Sequence, residues 1–272
     1  MKEFSTIVTE FNGQVVTLWF ARPDVHNAMD DIMIRELTAF FKKIEEESQI
    51  RLVVIRGQGK SFCSGADLNW MKRAFSLTAE ENLRECKELS ELFKAIYNSS
   101  KVVISVVHGN VFGGGNGIVA ACDLAYCIDS TKFSLSETRI GMAAASIAPY
   151  MLRKVHASDL KALIFSAMSF NGKDAVKYGL LNKSFPSLEF MELYVNSLIS
   201  EVLANGKLAI FESKRLINGL TDQSMTEEML QIPELLARIR VSPEAQEGFS
   251  AFLEKRKPKW YYADPIFNNR TT

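Results

Sequence analysis

The groups best placed to do chemistry in this chain are backbone amides. Val102 to Val107 is a short β-branched apolar run that fits a buried strand, and it feeds Gly109-Asn-Val-Phe-Gly-Gly-Gly-Asn-Gly117. Three adjacent glycines, Gly113 to Gly115, allow close approaches that side chains forbid, and Ile118 to Ala121 read as a buried helix starting there. Free N–H groups and the positive end of a helix dipole then face the turn, which suits an oxyanion or a phosphate. A second stretch repeats the design. Leu52 to Ile55 reads as a buried strand, and Gly59-Lys-Ser-Phe-Cys-Ser-Gly-Ala-Asp-Leu-Asn-Trp70 turns through small residues into another helix. Two such units, each offering one N–H, could hold a single oxygen between them. Competing readings are a glycine turn needed only for packing, and a dinucleotide fingerprint in Gly115-x-Gly117-x-x-Ala120. Against the fingerprint, the stretch His108 to Phe112 separates strand from glycines.

Phe62-x-x-Gly65-Ala-Asp-Leu68 and Gly109-x-x-x-Gly113-Gly-Gly115, in this order and spacing, resemble the motif pair of the enoyl-CoA hydratase/isomerase (crotonase) family. The resemblance covers nearly the whole chain. It implies an α/β fold, a spiral of ββα repeats with a C-terminal helical oligomerisation region, assembled as a homotrimer or hexamer. It also implies that the Ala66 and Gly114 N–H groups grip the thioester oxygen of an acyl-CoA, so that a neighbouring enolate becomes accessible. Members that hydrate double bonds place two glutamates across them. Gly117 stands at the first of these positions, and Glu137, in Ser136-Glu-Thr-Arg-Ile-Gly141, matches the second. The resemblance further places Arg22, Ser64, Asp67 and Lys255 on the coenzyme A side, and Trp70, Met71, Gly117, Arg139 and Ala145 along the substrate pocket. It implies no metal and no cofactor beyond the coenzyme A that the substrate carries.

One carboxylate can serve either of two reactions. In hydration Glu137 takes a water proton and delivers one to C2; in isomerisation it moves a proton from C2 to C4 and no water is needed. The local wording of Gly65 to Met71, Ser136 to Gly141 and Ala144-Ala-Ser-Ile-Ala-Pro149 looks most like the bacterial methylglutaconyl-CoA hydratases of leucine degradation. That likeness makes hydration of the branched 3-methylglutaconyl-CoA the expected reaction, with Arg139 the nearest cation for a distal carboxylate. A Δ3,Δ2-enoyl-CoA isomerase, a general enoyl-CoA hydratase, and a homologue that binds acyl-CoA or RNA without catalysis are the alternatives.

The elements that must position these residues follow from pattern. Phe4 to Glu10 and Gln14 to Phe20 alternate as two strands about Asn12-Gly13, a strong hairpin signal. Asp30 or Asp31 caps a helix to about Glu47, and Thr78 opens one to about Asn98. Lys72 and Arg73 read as a solvated face, and Asp123 to Ile128 and Lys132 to Ser134 as strands. From Ala144 onward the pattern turns helical, which places a spiral core at 1–200 and a helical trimerisation region at 201–272. Phe249, Phe252 and Trp260 are candidates for core or interface there, and Lys255 to Lys259 form a basic run.

Composition narrows the class. Thirty-two basic residues balance 32 acidic ones, so no charge excess points to nucleic acid or an anionic membrane. Cys63, Cys86, Cys122 and Cys127 show neither a zinc pattern nor a disulfide framework. The polar start, Met1-Lys-Glu-Phe-Ser, and the lack of any long apolar run lead to the expectation of a soluble, cytoplasmic protein.

Overall fold

The computed structural model describes residues 4–222, 233–234, 236–238 and 240–256. It opens with the antiparallel hairpin β1 (Ile7–Asn12) and β2 (Val15–Phe20), closed at Gly13, whose φ of +58° suits glycine. Helix α1 (Asp31–Ile44) starts where the Asp30 carboxylate accepts the Met33 N–H and ends a turn earlier than expected. There follow β3 (Leu52–Gly57), α2 (Leu68–Arg73), and α3 (Ala79–Tyr97), which begins with a reciprocal capping box between Thr78 and Glu81. The central stretch gives β4 (Val102–Val107), β5 (Asn110–Phe112), α4 (Gly114–Ala121), β6 (Leu124–Ile128) and β7 (Lys132–Ser134), then a 3₁₀ turn, Glu137–Ile140.

Beyond it lie α5 (Ala148–Leu152), α6 (Ala157–Ser166), β8 (Ser169–Asn171), α7 (Gly172–Lys177), β9 (Lys183–Phe185), α8 (Leu188–Ala204), α9 (Lys207–Asp222) and α10 (Pro243–Leu253). The main sheet runs β1-β2-β3-β4-β6-β9 and is parallel from β2 onward; β5-β7-β8 form a second, smaller sheet. Strands β3 and β4 read as continuous apolar runs because both faces are covered. Val53, Ile55, Val103 and Val107 enter one core with α1, α3 and α4, while Leu52, Val54, Ile104 and Val106 enter another with Met191 and Val195 of α8.

Two sequence expectations need correction. The stretch after Ala144 is not all helix, since β8 pairs antiparallel with β7, stacking Phe170 on Phe133, and β9 extends the main sheet beside β6. A domain boundary at residue 200 would cut α8, whose apolar stripe is part of the sheet's second core. The C-terminal region also returns to the core. A β-carbon on Gly248 of α10 would lie 2.0 Å from the Ile140 carbonyl oxygen, so α10 packs backbone to backbone on the Glu137–Ile140 turn. Phe249 is buried edge-on to Phe75, whereas Phe252 is exposed. Trp260, Lys257, Lys259 and most of 223–239 lie outside the described residues. Among the described residues, no helix is long and apolar enough to cross a membrane. The four cysteines are buried and unpaired.

Candidate active site

The two small-residue turns lie side by side. Phe62 N donates to His108 O at 2.9 Å, Cys63 N to Asn110 O at 3.1 Å, and Phe112 N to Cys63 O at 2.9 Å. On the other flank Met29 N reaches Gly65 O and Asp67 N reaches Met29 O, both at 2.8 Å. This lacing skips Ala66, whose N–H meets no acceptor among the described residues. Gly114 is the first residue of α4, so its N–H has no partner within the helix. Neither turn tolerates a side chain easily: Gly65 has φ +98° and Gly113 φ +49°.

Glu137 meets these turns. A β-carbon on Gly113 would stand 3.7 Å from Glu137 Oε1 and 3.7 Å from Gly65 Cα, which brings both turns and the carboxyl to one place. Glu137 is half-buried as a residue, yet its Oε2 is out of solvent and has no hydrogen-bond partner. Burial pushes the carboxyl up to about 7, partly offset by a hydrogen bond to its own backbone. The 3₁₀ turn that carries it is anchored at its rim, where Thr138 Oγ1 donates to Ile164 O at 2.8 Å and Arg139 to Ala167 O at 2.7 Å.

At Gly117 a β-carbon would lie 2.5 Å from Ile147 Cγ2 and 2.7 Å from Phe93 Cζ. The first glutamate position therefore lacks its carboxylate and also the room for one. Gly117→Ala is expected to destabilise the fold by about 1–3 kcal/mol through overpacking, measured as a lower urea midpoint with unchanged slope. Ala145 is half-buried against the same core, and Met71 is half-buried on α2.

Several expected site residues hold the scaffold instead. The Arg22 guanidinium lies 3.0 Å from both Asp30 and Asp67 and also donates to Ala28 O. Asp67, buried, caps α2 through the N–H groups of Asn69 and Trp70. Both side chains thus pair with each other and brace the loop that the resemblance places on the coenzyme A side. Ser64 Oγ turns to Val25 O at 3.4 Å. Arg139, exposed, donates one N–H to Ala167 O at the C-terminal end of α6. Trp70 is buried, its Nε1 donating to Glu85 at 2.8 Å and its ring under the Arg240 guanidinium. Lys255 is exposed in a left-handed conformation just after α10.

Other residues were not legible as site neighbours. Arg73, read as solvated, pairs with Asp31 at 2.8 Å and Glu85 at 2.9 Å. Phe93 and Ile147 look like ordinary core, and only their packing on Gly117 gives them a bearing on the site. Asn116 had a signal, being the one strongly polar side chain in the apolar stretch Gly114–Ala121.

Two turn amides without acceptors thus lie beside a carboxyl with one oxygen out of solvent, a geometry that suits holding an oxyanion and moving a proton next to it. The comparisons with known proteins agree. The enoyl-CoA hydratase/isomerase family model matches residues 10–262. The short-chain-enoyl-CoA hydratase of Clostridium acetobutylicum is 26% identical over 261 residues, covering 94% of this chain and 97% of that protein. The mitochondrial Delta(3,5)-Delta(2,4)-dienoyl-CoA isomerase of Dictyostelium discoideum is 27% identical over 255 residues, covering 90% and 86%. The crystal structure of an enoyl-CoA hydratase from Shewanella pealeana superposes with a TM-score of 0.78 at 30% identity, covering 95% of this chain and 97% of that one. This chain belongs to the enoyl-CoA hydratase/isomerase family, and it has the crotonase-like fold.

Proposed function

We propose that this enzyme moves the double bond of an enoyl-CoA thioester, with Glu137 as the acid/base and the Ala66 and Gly114 amides holding the thioester oxygen. The observation that supports it is at Gly117: Phe93 and Ile147 occupy the space a side chain there would enter, which leaves Glu137 as the one carboxylate of the expected pair. In a 3-enoyl thioester the Glu137 carboxylate takes a proton from C2, and the electron pair moves onto the thioester oxygen. The resulting dienolate recovers a proton at C4 from the same carboxyl, leaving the double bond between C2 and C3. A carboxyl titrating near neutrality suits a group that must both accept and return a proton. The reaction as written needs nothing beyond the substrate and the chain's own groups.

Hydration of a branched 2-enoyl-CoA, such as 3-methylglutaconyl-CoA, is the second reading. The hydratase names among the relatives and the wording of Ser136 to Gly141 favour it. Arg139 donates one N–H to Ala167 O and keeps its other donors for a distal carboxylate, so this substrate remains within the second reading. A mass-resolved assay in heavy-oxygen water, with a 3-enoyl-CoA, crotonyl-CoA and 3-methylglutaconyl-CoA offered side by side, separates the two. Double-bond migration without solvent oxygen is the expected result. Incorporation of solvent oxygen with preference for the methylglutaconyl thioester would replace isomerisation by hydration.

A further inference from the structure

Asn116 is fully buried in a helix otherwise made of glycine and apolar residues. Its Nδ2 donates to Ser134 O at 2.9 Å, Val111 O at 3.2 Å and Gly113 O at 3.3 Å, while its Oδ1 has no partner. The amide orientation follows from these contacts, because the reverse would set an oxygen against three carbonyl oxygens. A leucine would suit the burial better than an amide with one unsatisfied atom. The three carbonyls explain what the amide does. Val111 is the middle of β5, Gly113 begins the oxyanion turn, and Ser134 ends β7, three residues before Glu137. Gly113 N also donates to Ser134 O, at 3.2 Å.

We propose that Asn116 is a positioning residue that fixes the distance between the Gly114 N–H and the Glu137 carboxyl by clamping the oxyanion turn to the strand leading into the acid/base. This rests on the reading of Gly114 and Glu137 given above. The amide touches no substrate; it holds two backbone segments whose spacing decides whether the thioester oxygen and the C2 proton are reached together. A misplacement of about 1 Å in such a pair costs about 10²-fold in rate.

The test compares Asn116→Ala with Asn116→Ser, two side chains of similar size of which only serine can donate. For each, kcat and KM on the turned-over enoyl-CoA are measured per folded protein, together with solvent deuterium exchange at C2 of a saturated acyl-CoA, butyryl-CoA. The alanine variant is expected to lose about 10²-fold in kcat with KM little changed, and its C2 exchange to fall in parallel. The serine variant is expected to recover part of both. Equal rates in the two variants, or wild-type turnover in the alanine variant, would overturn the proposal and leave Asn116 a packing residue. Should the alanine variant not fold, Asn116→Leu, which keeps the volume and removes the donor, takes its place in the comparison. Glu137→Gln is measured alongside. If it keeps turnover, the underlying assignment of the acid/base fails; if it is inactive while the alanine variant is normal, only the positioning role fails.

Discussion

Glu137→Gln is expected to lower turnover by about 10²–10⁴-fold while making the protein more stable at alkaline pH, as replacing a desolvated active-site group commonly does. General acid–base groups contribute about 10²–10⁴ in rate, and glutamine cannot exchange the proton. The stability effect follows from the same burial. The folded-state carboxyl titrates at about 7, above its ordinary value of 4.5, because Oε2 is out of solvent with no hydrogen-bond donor. Below pH 4.5 the group is protonated in both folded and unfolded chains and costs nothing. As pH rises from 4.5 to 7 the unfolded chain ionises first, so the native state loses stability; above 7 the loss is complete, on the order of 3 kcal/mol. Glutamine stays neutral throughout. Urea unfolding of both proteins should therefore give a difference that is small near pH 5 and grows to a plateau above pH 7 in favour of the variant. In the wild type, kcat/KM for double-bond migration should rise with pH through about 7, as the carboxylate forms. A stability difference independent of pH, or undiminished turnover, would remove Glu137 from its role.

That one buried carboxyl is visible from sequence only as a motif match, and the reason shows what sequence can carry. Features fixed by near neighbours were legible: the Asn12-Gly13 hairpin, the Asp30 and Thr78 caps, the buried runs of β3 and β4, and the glycine turns that follow them. Features fixed by distant partners were not. Strands β5, β8 and β9 have three residues each and no alternation of their own to mark them, and they pair with β7 and β6, partners distant in sequence. Arg22 and Asp67 are separated by 45 residues, and nothing in the local pattern of either announces their ion pair. Arg139 is drawn to a carbonyl 28 residues away. The absence of a carboxylate at Gly117 is plain in the sequence, whereas its consequence is not. Phe93 comes from α3 and Ile147 from the segment before α5, and only their meeting over Gly117 makes the site one-sided.

The other half of the site can be tested by removing an atom that no ordinary substitution reaches. Gly114→Pro is expected to lower kcat about 10²–10³-fold relative to Gly114→Ala, the loss associated with one oxyanion donor, about 2.7–4 kcal/mol of barrier. Proline suits the position, because Gly114 is the first residue of α4 and its N–H is one of the helix's unpaired donors. The preceding Gly113, at φ +49° and ψ −123°, lies outside the α region that a following proline disfavours. Both variants introduce a β-carbon 2.1 Å from Met29 Cε, the free end of a flexible side chain, so both require the same local shift. Alanine keeps the amide hydrogen and proline does not, which makes the ratio of their rates a measure of the donor itself. Thioester binding should differ less than turnover, since the oxygen carries most of its negative charge only in the transition state. If proline matches alanine in kcat, the Gly114 amide does not hold the oxygen, and the convergence of the two turns on Glu137 must serve a different atom of the substrate.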